Sequence, residues 1–418
     1  MKEFYFLLLL LTLGIMGCEK PAPPKAVFII LDGIPADVLE KINTPALDAI
    51  SQAGGYTRAY VGGETGQYNE TPTISAPGYM SLITATWANK HNVWGNDNLS
   101  PNYHYWNVFR AAETANPALT TAVFSTWLDN RTELIGEGKT SGGTFRIDYA
   151  FDGFEKDTVS FPHDSLARYI LEIDEHVSDE AGKYIETHGP DLSWVYLEYT
   201  DDMGHRYGDS EQFYNSVQTA DAQVKKIWDA VKKRQNRGED WLIVVTTDHG
   251  RDSLTGQDHG GQSLRERKTW ISTNARTLNK SFSEQEPGIV DIGATLLRHL
   301  DIKTPEAVAY EMDGIAFAGD ISFYHPEVLL EESELKINWK PVNENGEMKI
   351  LLTFTNHFAT GGKDEYTTAS TVPVKAGTTT VHLTEEQLQN YRQSGIMKIV
   401  LQAPLNTGNR WIRFATPK

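Results

Sequence analysis

The stretch Trp241-Leu242-Ile243-Val244-Val245-Thr246-Thr247-Asp248-His249-Gly250 (WLIVVTTDHG) runs from a near-continuous apolar segment into a carboxylate, an imidazole and a glycine. A run so rich in Val and Ile predicts a strand covered on both faces, as central parallel strands are. Two other runs share this plan. Ala26–Leu31 (AVFIIL) leads into Asp32-Gly33, and Leu192–Tyr199 (LSWVYLEY) leads into Asp201-Asp202-Met203-Gly204-His205. Helical patterns lie between them. Pro45–Gln52 is expected to end on Gly54-Gly55 as a C-cap, and Asn215–Arg234 aligns Val217, Val224, Ile227, Trp228 and Val231 on one face with lysines outside. Strands alternating with helices predict an α/β domain, a mostly parallel central sheet flanked by helices.

The chain has 418 residues, and a single core rarely grows past about 250–300 residues. The texture changes after residue 320. The helical run Val290–Leu300 and the turn at Asp313-Gly314 close the α/β part, predicted to span residues 26–320. Short strands follow at Leu335–Trp339, Met348–Thr355, Thr378–Leu383 and Met397–Leu401, so residues 321–418 are expected to form a small β-sandwich. At the other end, Lys2 and the apolar run Phe4–Met16 have the form of an export signal, too short to span a bilayer comfortably. Ile15-Met16-Gly17-Cys18 resembles a bacterial lipobox. Residues 1–18 are therefore expected to be a lipoprotein signal peptide with Cys18 lipidated, residues 19–25 a tether, and the protein periplasmic or outer-membrane. Cys18 is the only cysteine, so no internal disulfide exists. The net charge of -18 excludes the basic footprint of a duplex-binding protein and leaves the lipid anchor as the expected membrane contact.

Ligands in open α/β sheets gather beyond the carboxyl ends of the strands. Three such ends, with Asp258-His259-Gly260 close behind, would bring Asp32, Asp201, His205, Asp248, His249 and His259 into one crevice. An Asp-Gly after a strand is by itself usually a turn, and a lone His is often structural. Six metal-type residues at three strand ends are harder to explain that way. Mixed Asp and His ligands suit Zn²⁺ better than Mg²⁺ or Ca²⁺.

The order Asp-Gly, Asp-x-x-Gly-His, Asp-His-Gly, with the Val290–Leu297 helix and the Asp313-Gly314 turn, resembles the alkaline phosphatase superfamily over about residues 26–320. It resembles in particular the branch of type I phosphodiesterases and nucleotide pyrophosphatases. The resemblance implies two divalent metals, one on the residues matching Asp32, Asp248 and His249, the other on those matching Asp201, His205 and His259. It also implies a Ser or Thr nucleophile between them. Aligning Pro77 with the second proline of the diesterase motif P-T-x-T-x-P-N-H puts the nucleophile at Ser75, with Thr73 as its competitor and a helix Gly78–Ala85 behind it. The reading of Ser75 as an ordinary helix N-cap stands beside this one. Asn96 matches the family's phosphate-binding Asn.

Two departures bear on specificity. The motif's Asn-His is replaced here by Gly78-Tyr79, and the Arg of the sulfatase signature Ser-x-Pro-x-Arg is missing. Some alkaline phosphatases clamp a monoester with Lys-x-Arg; Arg131 could match that Arg, but Asp129 stands at the Lys position. Trp94, in an aromatic group with Trp87, Tyr103, Tyr105 and Trp106, is a candidate substrate contact. The expected function is metal-dependent hydrolysis of a phosphodiester or pyrophosphate bond in a small nucleotide-like substrate, through a phospho-Ser intermediate. The alternatives are a phosphomonoesterase using Arg131 and a surface-binding lipoprotein with an inactive enzyme domain.

Overall fold

A computed structural model describes residues 22–413. The expected signal peptide and Cys18 lie outside these residues. Seven strands form the central sheet: β1 (Pro24–Leu31), β2 (Gly55–Tyr60), β3 (Thr121–Ser125), β4 (Tyr149–Phe151), β5 (Leu192–Leu197), β6 (Asp240–Thr246) and β7 (Lys268–Thr273). Their order is β2-β7-β6-β1-β5-β3-β4. All pairings from β6 to β4 are parallel, and β7 alone runs against its neighbours.

The apolar run of β1 serves two cores. Ala26, Phe28 and Ile30 face one side, packing with Met80, Phe109 and Ile292 from helices Ser75–Thr84, Val108–Ala115 and Val290–His299. Val27, Ile29 and Leu31 face the other, packing with Ile50, Val177 and Val224 from helices Pro45–Ala53, Arg168–Thr187 and Glu211–Gln235. A strand buried on both faces has no polar side to show, so the alternation typical of half-exposed strands is missing. Among the described residues, no helix is long and apolar enough to cross a membrane.

Several expected elements shift. β1 begins at Pro24, inside the expected tether, and Lys25 is buried with its Nζ donating to Asp191 at 2.6 Å. The run Leu192–Tyr199 is a strand only to Leu197, because a helix, Tyr199–Tyr207, starts there. Gly54 is the expected C-cap of the Pro45–Ala53 helix, but outside the left-handed region. Its φ is -144°, and a Cβ there would lie 2.5 Å from the Thr273 carbonyl oxygen, so close approach to β7 demands glycine.

The C-terminal part adds β8 (Phe323–Glu331), β9 (Glu334–Pro341), β10 (Glu347–Thr353), β11 (Thr367–Pro373), β12 (Thr378–His382), β13 (Ile396–Gln402) and β14 (Thr407–Arg413). They form two antiparallel sheets, β11-β10-β13-β14 and β12-β9-β8, over one core that includes Trp339, Ile350 and Ile399. β8, β11 and β14 were not apparent in the sequence, nor was the helix Glu385–Ser394, whose start is fixed by a Thr384/Gln387 capping box.

A buried charged seam joins the two parts. Lys90 Nζ donates to Asp313 at 2.7 Å, to the Glu311 carbonyl at 2.8 Å and to Asn409 of β14 at 2.9 Å. Lys398 of β13 donates to Glu311 at 2.7 Å and to Asp364 at 2.8 Å. Both ammonium groups lie over the Trp411 ring. Removing one partner of a buried pair strands the other charge. Lys398→Met should therefore lower the unfolding free energy by about 3–5 kcal/mol, read from urea denaturation of the full chain.

Candidate active site

β6, β1 and β5 are adjacent and in register, so their carboxyl ends open onto one crevice. Asp32 follows β1 directly. Thr247, Asp248 and His249 follow β6, and the Tyr199–Tyr207 helix follows β5. That helix places Asp201 and His205 one turn apart on one face, their Oδ2 and Nε2 3.2 Å apart. Asp174, on the Arg168–Thr187 helix, caps its start by accepting from the backbone N–H groups of Glu198 (3.0 Å) and Tyr199 (2.8 Å). This cap is invisible to sequence spacing, because the acceptor lies on another helix.

The six candidate ligands fall into two clusters, Asp32/Asp248/His249 and Asp201/His205/His259, the candidate ligand atoms in each lying within 4.8 Å of one another. In the first, His249 Nε2 is 3.3 Å from Asp32 Oδ1 and 3.4 Å from Asp248 Oδ2. Its Nδ1 lies 2.9 Å from the Gly250 carbonyl, which can only accept, so Nδ1 carries a proton and Nε2 is the nitrogen aimed at the cluster. Tyr79 and Tyr196 both donate to Asp32 Oδ2, and Gly33 N–H donates to Asp248 Oδ1. The other two oxygens, Asp32 Oδ1 and Asp248 Oδ2, are buried without any hydrogen-bond partner. Burial disfavours ionised carboxyls, and together with the charge of Asp32 it pushes Asp248 well above the carboxylate range. Burial would lower His249, but the charges of Asp248 and Asp32 override it and hold the imidazole up at about 9. The cluster is thus short of positive charge, and its orphaned oxygens and aimed Nε2 fit a cation.

The second cluster repeats the plan. His259 Nδ1 donates to the Thr73 carbonyl at 2.9 Å, which leaves its Nε2 facing that of His205 at 3.1 Å. Asp201 Oδ1 accepts from Arg251, leaving Oδ2 toward His205. Arg251 was not singled out in the sequence, though it follows Asp-His-Gly directly. Its partners come from separate loops, so sequence spacing does not reveal them. The two clusters adjoin, His249 Nε2 lying 3.9 Å from Asp201 Oδ1. Two carboxylate oxygens with one imidazole nitrogen in the first site, and one carboxylate oxygen with two imidazole nitrogens in the second, suit a borderline metal such as Zn²⁺.

Ser75 stands beside the first cluster, its Oγ 3.4 Å from His249 Nε2. It occupies the first turn of the Ser75–Thr84 helix, which starts earlier than the expected Gly78. The N-cap position belongs to Ile74, and Ser75 makes no capping bond. Gly78 explains the missing Asn of the diesterase motif: a Cβ there would lie 2.9 Å from the Asp248 carbonyl oxygen. Tyr79 turns inward to Asp32. Thr73 is buried, its hydroxyl donating to the Gly261 carbonyl at 2.8 Å and accepting from Gly260 N–H at 3.0 Å. Asn96 accepts through Oδ1 from Ala76 N–H at 2.9 Å, which keeps it against the start of the Ser75 helix.

The expected phosphate clamp needs correction. Arg131 donates to Asp152 through Nε at 2.7 Å and Nη2 at 2.9 Å, and through Nη1 to Glu137. Two carboxylates hold this guanidinium in a structural ion pair. Of the aromatic group, Trp87, Tyr103 and Tyr105 are core residues, whereas Trp94 is 48% exposed.

The model of one family, type I phosphodiesterase / nucleotide pyrophosphatase, matches residues 26–316. The chain belongs to this family. Human ectonucleotide pyrophosphatase/phosphodiesterase family member 5 is 24% identical over 260 residues, covering 59% of this chain and 48% of that protein. The chain thus spans about half the length of the curated relative it matches. Among solved structures, an inactive form of the murine member 5 in complex with AMP aligns with a TM-score of 0.46 at 15% identity, covering 68% of this chain and 96% of that one. A phosphonate monoester hydrolase of Agrobacterium radiobacter aligns with a TM-score of 0.47 at 12% identity, covering 93% and 89%.

The fit of both clusters predicts two divalent metal equivalents per chain by elemental analysis, falling to one in Asp248→Asn. Free Zn²⁺ at a thousandfold over its Kd should stabilise the metal-stripped protein by about 4 kcal/mol in thermal unfolding, and EDTA should reverse the gain.

Proposed function

We propose that the protein hydrolyses phosphodiester or pyrophosphate bonds of a small nucleotide-like substrate through a phosphorylated Ser75. The observation that carries this reading is Ser75 Oγ, free of any cap bond and 3.4 Å from His249 Nε2 of the first of two adjoining candidate ligand clusters. Family membership supports the reaction class. Asp32, Asp248 and His249 would hold one metal, and Asp201, His205 and His259 the other. Bound there, divalent metals supply Lewis-acid charge that lowers the pKa of a nearby hydroxyl and neutralises a leaving oxygen.

The chain's own residues do the rest. Ser75 Oγ attacks phosphorus from the first turn of its helix, whose free N–H groups and dipole favour the phosphoryl oxygens. Asn96 spends its Oδ1 on Ala76 and keeps its Nδ2 protons for a phosphoryl oxygen. Thr73 positions His259 through its carbonyl and the Gly260-Gly261 turn through its hydroxyl, a fixed role that suits a support more than a nucleophile. With Arg131 held by Asp152 and Glu137, the dianion of a monoester loses its expected clamp, which favours the diester. Trp94, exposed two residues before Asn96, offers a face on which a base or aryl leaving group stacks. Export and anchoring through lipidated Cys18 complete the reading, with the enzyme in the periplasm or on the outer membrane.

Ser75→Ala should abolish turnover of bis-p-nitrophenyl phosphate while both metals stay bound; retained activity would move the nucleophile to Thr73. Trp94→Ala should raise KM for thymidine p-nitrophenyl phosphate by about tenfold, the weight of ~1–3 kcal/mol of stacking, with kcat changed little. A preference for p-nitrophenyl phosphate over both diesters would overturn the diesterase assignment.

A further inference from the structure

Arg251 lies two residues past His249 and is completely buried. Its Nε donates to the Gly33 carbonyl at 3.0 Å, its Nη1 to the Gln257 carbonyl at 2.9 Å, and its Nη2 to the Asp201 carbonyl at 2.8 Å and the Asp201 carboxylate. The fork therefore ties together the loop after β1, the Asp201 helix and the loop leading to His259. The fold keeps room for it. A Cβ on Gly204 would lie 2.2 Å from Arg251 Cζ, and one on Gly33 would lie 2.8 Å from its Nη2. The glycine of Asp-x-x-Gly-His is thus the floor on which the guanidinium rests.

The two clusters differ in charge and exposure. The first has two carboxylates and one imidazole, with side chains at most 2% exposed. The donors that steady its carboxylates, Tyr79, Tyr196 and Gly33 N–H, carry no charge. The second has one carboxylate, whose charge Arg251 cancels, and two imidazoles. Its side chains are more open, His205 at 45%, Asp201 at 16% and His259 at 10%. Attraction for a cation scales with ligand charge and inversely with the local dielectric, and both terms favour the first cluster.

Resting on the two-metal reading above, we infer that the two sites are unequal, a retained metal at Asp32/Asp248/His249 and an exchangeable one at Asp201/His205/His259, and that Arg251 is the positioning residue on which the second depends. Arg251 lowers the charge of the second site, yet that site depends on it, because the guanidinium fixes which oxygen Asp201 presents. Of these two effects positioning is the larger, since the buried fork also holds the Asp201 carbonyl and the Gln257 carbonyl on the loop leading to His259, and so orients two ligands of that site.

The test is Zn²⁺ titration of the metal-stripped full chain in competition with a chromogenic chelator. The unaltered protein should bind two equivalents in two resolved steps. Arg251→Met should weaken the second step by about 10–100-fold and change the first by less than about threefold, the effect expected of a group that orients a ligand. Arg251→Lys keeps the charge without the fork and should show the same selective loss. Gly204→Ala keeps the arginine, adds a good helix former and displaces the guanidinium, so it decides the matter should Arg251→Met fail to fold. The inference is overturned by two indistinguishable steps in the unaltered protein, by equal weakening of both steps in folded variants, or by an unchanged second step in Gly204→Ala. An unaltered protein that takes up no Zn²⁺ overturns the two-metal reading itself.

Discussion

Three aspartates crowd the carboxyl ends of three neighbouring parallel strands, and the need to keep these negative charges together out of water shapes everything around them. Like charges at such spacing repel, and burial adds a desolvation cost that only specific partners offset. The fold answers by taking one oxygen of each carboxylate for itself: Tyr79 and Tyr196 hold Asp32, Gly33 N–H holds Asp248, and Arg251 holds Asp201. Each aspartate is left with one oxygen directed at its cluster. The histidines follow the same rule, with a backbone carbonyl fixing the far nitrogen of His249 and of His259. Glycines at 33, 78 and 204 give these partners room to approach.

This explains what could be read from the sequence. A central parallel strand has to be apolar on both faces, so β1, β5 and β6 announced themselves, and the loops beyond their ends named the six candidate ligands. The flanking strands were harder to see. β2, β3 and β4 are short, and β7 (KTWIST) carries polar residues that are buried only because Ser272 bonds Ser51 and Thr273 bonds the Ile243 carbonyl. The site's supports were hidden for a related reason. Arg251, Asp174 and Tyr196 act on residues far away in sequence, and nothing in their immediate neighbours marks a buried fork, a distant helix cap or a hydroxyl aimed at Asp32. Arg131 misled in the opposite direction: its spacing suggested a substrate contact, whereas its charge is spent on Asp152 and Glu137.

The Ser75–Thr84 helix shows how such partners converge. It begins at Ser75 and not at Gly78 because Pro77 fits a first turn, where its missing N–H costs nothing, and Gly78 lets the backbone lie against Asp248. Tyr79, one residue on, reaches the other side of the same cluster. Five residues thus carry the proposed nucleophile, a close approach to Asp248 and a hydrogen bond to Asp32, which explains a segment that departs from the family's pattern at two adjacent positions.

The buried seam at Lys90 bears on how the protein can be handled. The Ala88–His91 turn that carries Lys90 also carries His91, which bonds Ser81 of the Ser75–Thr84 helix at 3.1 Å, and the chain then runs on to Asn96. Asn409 and Trp411 of the last strand complete the surroundings of Lys90. Cutting the chain near residue 320 to obtain a smaller enzyme would strip Asn409 and the Trp411 ring from a buried ammonium group six residues before Asn96. The workable unit for expression, crystallisation or redesign is the whole chain, and a library aimed at the C-terminal strands would also be a library of the active-site loop.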